Sequence, residues 1–194
     1  MLAAGTLFIV AGKITCQRIH NERRATAWMD SEFGRLGKTV DEILSHAGDN
    51  LAPNIPAAIN YQISRKINRH GVAALSEPER NYHALFEVCR AVRINGFESY
   101  FLSPAADDAP AALAGLKGVG AVRRATVFEA AMGVFPNHTA PAQLAERKDV
   151  VNRIVESARP IWIRCDEVFK SPDEPLSGLL LSYVKTNKVD FVFR

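Results

Sequence analysis

Residues 75–101 read LSEPERNYHALFEVCRAVRINGFESYF, and this stretch decides the fold. Ser76 and Glu79 have the spacing of a capping box, and Pro78 fits the first turn of a helix. The sequence therefore predicts a helix that starts here and buries one face. The apolar residues of that face recur at spacings of three and four: Tyr82, Leu85, Phe86, Cys89 and Val92.

The end of the stretch combines a turn signal with aromatic side chains. Asn95 and Gly96 are expected to end the helix, because glycine adopts the left-handed conformation of a C-cap without steric cost. The aromatic residues that follow are expected to anchor the turn in a hydrophobic core. Polar groups on such an anchored turn are suited to binding a partner. The candidate binding residues are Asn95, Gly96, Phe97, Glu98, Tyr100, Phe101 and, from a later helix, Asp166.

Helical patterns dominate the rest of the chain. Apolar residues recur at helical spacing over residues 21–47, 56–70, 108–118, 121–135, 139–159, 161–170 and 171–184. Pro160 is expected to divide two of these helices, because proline disfavours helix at the residue before it. Alternating patterns occur only near the ends, at residues 7–14 and 189–193. We predict a mostly α fold: stacked helical hairpins in one compact domain, with at most short strands near the termini.

Length and composition fit a globular protein. The chain has 194 residues, of which 47% are hydrophobic and 23% charged. We predict an N-terminal helical extension, residues 1–71, packed on a helical domain of residues 72–194. Lys13 ends an apolar run that is about half the length of a membrane span, so residues 1–12 are either a core element or a trimmed anchor. No membrane association is expected.

The cysteines indicate a reducing environment. Cys16, Cys89 and Cys165 are odd in number and far apart, which is typical of reduced thiols and unlike a disulfide framework. Disulfide-free chains with buried thiols are common in the cytoplasm, so we expect this protein to be cytoplasmic.

The residues that usually carry chemistry form no strong motif. The five histidines are scattered. Gly115, Gly118 and Gly120 lack the preceding strand and the Lys-Ser/Thr ending of a phosphate-binding loop. We therefore expect no metal and no cofactor. Two acidic pairs, at residues 107–108 and 166–167, are the remaining candidates for general acid–base chemistry.

Three blocks of the sequence resemble a bacterial protein family. The first is residues 75–101, and the second, within residues 111–135, reads Ala-Leu-x-Gly-Leu-x-x-Val-Gly-Ala before an alanine-rich helix. The third has Asp-Glu-Val-Phe at 166–169 and Tyr-Val-x-x-Asn at 183–187. Over residues 72–194 the chain is similar to the DNA mimic protein 19-like family. The resemblance implies a homodimer whose partner is a transcription regulator, bound through an acidic surface that imitates DNA.

The charge distribution sets this chain apart from an acidic mimic. Residues 76–194 contain 15 basic and 15 acidic residues, and residues 1–75 contain 9 and 6. Imitating a phosphate backbone requires a dense array of carboxylates. The sequence therefore predicts a non-enzymatic protein-interaction module with a regulatory role, related to the DNA mimics but without their acidic surface.

Two alternatives remain open. One is an enzyme of unassigned activity with a pocket near Asn95, Tyr100 and Asp166. The other is a weak nucleic-acid binder that uses the basic N-terminal third, since the whole net charge of +3 lies there.

Overall fold

The computed structural model describes residues 27–193, which form eight α-helices and no strand. The helices are α1 (27–34), α2 (Val40–Ser45), α3 (Ile55–His70), α4 (Glu77–Phe101), α5 (Ala109–Gly118), α6 (Val122–Met132), α7 (Leu144–Phe169) and α8 (Leu176–Thr186). Short 3-10 turns join several of them. The prediction of a mostly α fold is confirmed, and the alternating segment 7–14 lies outside the described residues. None of the helices in residues 27–193 is both long and apolar enough to cross a bilayer.

The chain divides into two compact units between Tyr61 and Gln62, within α3. In the described part of the first unit, Leu36, Ile43 and Ile59 are fully buried. The Tyr61 hydroxyl donates a hydrogen bond to the Asp30 carboxylate. The division into an extension of residues 1–71 and a domain of 72–194 stays a prediction.

The first predicted helix, residues 21–47, is wrong as a single element. Two helices, α1 and α2, replace its described part, and residues 21–26 lie outside the described residues. Gly37, between them, has a φ of +117°, a conformation that side chains rarely adopt. A new helix begins after it because Thr39 and Glu42 form a capping box.

The core of the second unit is a cluster of aromatic rings. Phe97 and Phe101 on α4 are fully buried, as predicted. The Phe97 ring lies 5.1 Å from that of Phe169 on α7, and Phe101 lies 4.8 Å from Phe135. Trp162 on α7 packs 5.6 Å from Phe101 and donates its indole N–H to a backbone carbonyl of α6. Such edge-on and tilted ring pairs stabilise a core beyond simple area burial.

The helix α7 differs from the prediction at both of its expected boundaries. It continues through Pro160, which lies on an exposed face where water can hydrogen-bond the carbonyl that the proline leaves without a donor. It begins at Leu144 and not near Thr139. The reason for the later start is Arg147, whose guanidinium binds the backbone carbonyls of Pro141 and Ala142 at 2.6 and 2.8 Å.

The predicted capping box at the start of α4 is confirmed, and it also holds the C-terminal tail. Glu79 is fully buried and accepts hydrogen bonds from the Ser76 backbone N–H at 2.9 Å and the Lys66 ammonium at 2.7 Å. Its other oxygen accepts the backbone N–H of Val192 at 2.9 Å. The tail contains a 3-10 turn, Lys188–Asp190, and no strand, and its Phe191 is buried. Glu79 therefore connects α3, α4 and the end of the chain.

Candidate functional site

The candidate site is a kink in α4 at Gly96. Gly96 has a φ of 78° and a ψ of 177°, so the helix is interrupted there and resumes at residues 97–101. The prediction that a left-handed glycine turn lies at this point is confirmed. The prediction that the helix ends there is wrong, because the second segment obtains a cap from another helix.

That cap is Asp166 on α7. Its Oδ1 accepts a hydrogen bond from the Phe97 backbone N–H at 2.8 Å. A Cβ atom at Gly96 would collide with the same carboxylate, so the glycine is required by close approach as well as by its φ. A carboxylate at the N-terminus of a helix satisfies a free backbone donor and interacts favourably with the helix dipole. Asp166 thus takes the role that a local N-cap residue normally has.

The environment of Asp166 changes its titration. Burial raises the pKa of this carboxyl above its usual value, and the hydrogen bond from Phe97 and the nearby Lys170 ammonium oppose the rise. A raised carboxyl pKa is a property of many catalytic acids, and it also follows from structural burial alone. Here the carboxylate already has a structural partner in Phe97.

The structure places the remaining candidates apart. Tyr100 is fully buried, and its hydroxyl has no hydrogen-bond partner among the described residues. Burial raises the pKa of Tyr100, so its hydroxyl stays protonated. Asn95 is exposed, and Glu98 pairs with the Arg159 guanidinium at 3.0 and 3.3 Å. Gly96, Phe97 and Asp166 come together, whereas Asn95 and Tyr100 do not face a common cavity.

Arg147 is a structurally central residue that the sequence reasoning missed. Its side chain is fully buried on α7, and its Nε donates to the Phe101 carbonyl at 2.7 Å. Its Nη2 donates to the Ser103 carbonyl at 2.8 Å and to the Asp107 carboxylate at 2.6 Å. The signal in the sequence was a charged residue on the apolar stripe of α7, between Leu144 and Val151.

The two acidic pairs are engaged in ion pairs and caps. Asp107 binds Arg147, and Asp108 forms a two-pronged ion pair with Arg80 at 2.6 and 2.8 Å. Asp166 caps Phe97, whereas the adjacent Glu167 is exposed. Three of these four carboxylates therefore have partners that stabilise the fold.

Metal sites and reactive thiols were two further kinds of centre to look for among residues 27–193. No group of histidine, cysteine and acidic residues in residues 27–193 has the arrangement of a metal site. Cys89 and Cys165 are free thiols, and burial raises the pKa of Cys89 to about 12. A thiol with so high a pKa is a poor nucleophile at neutral pH. Cys16 lies outside the described residues.

Fold and site together define an all-α protein whose central helix is kinked at a glycine and capped from a neighbouring helix. A family model described as DMP19-like protein matches residues 73–187, which is more than half of the chain. The chain therefore belongs to the DMP19-like protein family, and the resemblance found in the sequence is confirmed. No curated protein and no solved structure gives a significant match.

Proposed function

We propose that this member of the DMP19-like family is a non-enzymatic protein-interaction module that acts as a homodimer with a regulatory role. The observation that carries the proposal is that two large aliphatic side chains are exposed to solvent, one on α4 two residues before the kink and one on α7, the helix that caps the kink. Ile94 on α4 is 60% exposed and Ile163 on α7 is 53% exposed. Exposed apolar side chains that lie together in one patch are typical of protein interfaces, so the proposal requires these two residues to form such a patch.

The contacts between α4 and α7 determine where Ile163 lies. Arg159, Ile163 and Asp166 occupy one face of α7, since residues four and seven apart share a face of a helix. Arg159 binds Glu98 on α4, and Asp166 binds Phe97 on α4. Ile163 therefore stands between two points at which α7 contacts α4. We call the exposed residues Ile94, Asn95, Arg159 and Ile163, together with the half-buried Glu98, the junction surface.

The chemistry of the kink supports a scaffold more than an active site. Asp166, the strongest acid–base candidate, accepts the Phe97 N–H and presses against Gly96. Tyr100 has no exposed surface with which to touch a substrate. General acid–base catalysis requires a group within hydrogen-bond reach of the reacting atom. Tyr100 is not presented in that way, and the half-buried Asp166 carboxylate is already engaged by the Phe97 N–H.

The charge balance favours an interface with both apolar and polar contacts, and it argues against a surface that imitates DNA. Residues 76–194 carry equal numbers of acidic and basic side chains. Several acidic residues on the surface also have basic partners, such as Glu98 with Arg159 and Glu129 with Lys117. A phosphate-like array needs carboxylates without such partners. We therefore propose a partner protein that is bound through apolar and paired polar contacts.

Sedimentation velocity tests the proposal. The full chain is expected to sediment as a dimer at micromolar concentration, and Ile163→Asp and Ile94→Asp are expected to sediment as monomers because a buried unpaired charge opposes association. Val122→Asp is the matched control: Val122 is 71% exposed at the start of α6 and is expected to leave the dimer intact. A wild-type monomer at every concentration, or equal behaviour of all three variants, contradicts the homodimer and the junction surface.

Affinity capture tests whether the protein binds another protein. Immobilised full-length protein is expected to retain a protein from the native lysate that Ile163→Asp does not retain and Val122→Asp does. Capture of nothing beyond the chain itself contradicts a role in binding other proteins.

A further inference from the structure

A second feature, at the opposite end of α4 from the kink, is the packing of the tail, residues 188–193. Phe191 and Phe193 are buried, whereas Val192 between them is 49% exposed. The backbone of Phe191 is extended, with a φ of −89° and a ψ of 92°. Successive side chains of an extended chain point to opposite sides, so one side of this segment faces the protein and the other faces solvent. The tail therefore lies on its own chain in the manner of a bound peptide.

Two tyrosines contact the first buried ring of the tail. The Phe191 ring lies 5.7 Å from that of Tyr82 on α4 and 6.4 Å from that of Tyr183 on α8, and both pairs are edge-on. Edge-on aromatic pairs are favourable beyond the area that they bury. The helices α4 and α8 thus present an aromatic site that favours an aromatic side chain in the segment bound to it.

Two polar side chains bind the backbone of the tail. The Ser76 hydroxyl donates to the Asp190 carbonyl at 2.9 Å, and Oε1 of Glu79 accepts the Val192 N–H at 2.9 Å. The other Glu79 oxygen is engaged by the Ser76 N–H and by Lys66, so contacts outside the tail hold this carboxylate in place. Peptide-recognition sites combine features of this kind: hydrogen bonds to the backbone give affinity, and contacts with alternate side chains give specificity.

The tail and the surface beneath it differ in their relation to the family. Ser76, Glu79, Tyr82 and Tyr183 lie within the residues that the family model matches, and the tail begins directly after them. The surface is therefore in the part of the chain that defines the family, and the segment that covers it here is outside that part.

We propose that this surface is a binding site for an extended Phe-x-Phe segment, and that the tail of a second copy binds there when the chain's own tail leaves. The chain's own tail is tethered beside the site, so it competes at an effective concentration on the order of millimolar. Exchange between copies is therefore weak until the tail of the receiving chain is weakened. The inference goes beyond the proposed function, because it assigns a second site and its ligand, and it does not depend on the junction surface.

A fluorescent peptide of residues 187–194, added to the full chain and followed by anisotropy, provides the test. Phe191→Ala in the full chain is expected to open the site and to bind the peptide at least about tenfold more tightly than wild type does. Val192→Pro is a second opening variant, because it removes the N–H that Glu79 accepts and keeps both phenylalanines. Val189→Ala is the matched control: its side chain is 85% exposed, so this variant keeps its own tail in place and binds the peptide as weakly as wild type.

Changes in the peptide test the chemistry of the site without changing the protein. N-methylation at Val192 removes the donor to Glu79 and is expected to weaken binding to the opened chain about tenfold, as for loss of a charge-assisted hydrogen bond. A peptide with Phe191→Ala is expected to bind at least as poorly, whereas Val192→Ala, at the exposed position, is expected to bind normally.

Circular dichroism shows which full-chain variants are folded, and either opening variant suffices for the test. The inference is overturned if the peptide binds no opened chain, if N-methylation leaves its affinity unchanged, or if Val189→Ala binds it as tightly as the opened chains do. Adding Ile163→Asp to an opened chain is expected to leave the affinity for the peptide unchanged. Failure of this site and failure of the junction surface are therefore separate results.

Discussion

The carboxylate of Asp166 occupies the space that a side chain at residue 96 would need. It is held there by the Phe97 backbone N–H at 2.8 Å, although 69 residues separate the two partners. Gly96 and Asp166 therefore depend on each other: the glycine makes room for the carboxylate, and the carboxylate caps the helix that the glycine interrupts.

Gly96→Ala is expected to destabilise the protein by about 1–3 kcal/mol or more, because it adds a strained positive φ to a collision with Asp166. Gly178→Ala is the control: this glycine lies in α8 with no neighbouring atom near its missing Cβ. That variant is expected to gain up to about 1 kcal/mol from the better helix propensity of alanine. Urea unfolding measures both changes. Equal stability of the two variants would show that the close approach at Gly96 is unimportant.

The titration of Asp166 gives a second prediction. Because its pKa is raised on folding, the folded protein holds this proton more tightly than the unfolded chain. The contribution of Asp166 to the free energy of unfolding therefore falls as the pH rises from the usual carboxyl pKa, about 4, through the raised value. Asp166→Asn keeps an oxygen for the Phe97 N–H and does not titrate, so its stability relative to wild type is expected to increase across that window.

Urea midpoints at a series of pH values between about 3 and 7 measure this difference. Glu167→Gln, a change at the exposed neighbouring position, is the control and is expected to show no such trend relative to wild type. Parallel pH profiles for wild type and Asp166→Asn would contradict the prediction.

The buried ion pair of Lys66 and Glu79 gives a third prediction. Glu79→Gln removes the negative charge and keeps only one of the two acceptor oxygens, which leaves the Lys66 ammonium without a counter-charge where only 10% of its side chain is exposed. Loss of one partner of a buried ion pair costs about 3–5 kcal/mol. The double variant Glu79→Gln, Lys66→Met is expected to recover much of that loss, since it removes the unpaired charge. A double-mutant cycle in urea measures the coupling, and additive effects would argue against a direct interaction.

Arg147→Met is expected to destabilise the protein by about 3 kcal/mol or more. The change removes the Arg147 donor from the buried carbonyl of Phe101 and from the partly buried carbonyl of Ser103, and unsatisfied buried polar groups carry a large desolvation cost. Lys148→Met, at the exposed adjacent position, is expected to change the stability by no more than about 0.5 kcal/mol. Thermal unfolding measures the melting temperatures of the two variants. Similar melting temperatures would refute a central role for Arg147.

Local signals in the sequence were sufficient to predict some features of the fold. The capping box of Ser76 and Glu79 predicted the start of α4 because both of its hydrogen bonds are made within four residues. The glycine turn at Gly96 was predictable for the same reason, since it is a property of one residue's φ. The burial of Phe97 and Phe101 followed from their aromatic character.

Contacts between residues that are distant in the chain could not be predicted from local signals. Nothing near Gly96 indicates that Asp166 caps the next segment, so the sequence predicted an ending where the structure has a kink. Glu79 binds Val192, which is 113 residues away. We predicted a helix boundary at Pro160, but the helix continues through it. The effect of a proline depends on whether water can reach the face of the helix where it lies. These features are decided by tertiary packing, to which local propensity contributes little.

One helix, α7, binds both ends of the aromatic segment 97–101. Asp166 holds the first N–H of that segment, at Phe97, and Arg147 holds its last carbonyl, at Phe101. Both side chains project from α7, so their separation is fixed by the number of turns between them. An insertion or deletion in α7 between residues 147 and 166 would change this separation and release one end of the segment, even if every new residue favoured helix. The spacing of these two residues along α7 is therefore as much a part of the fold as their identities.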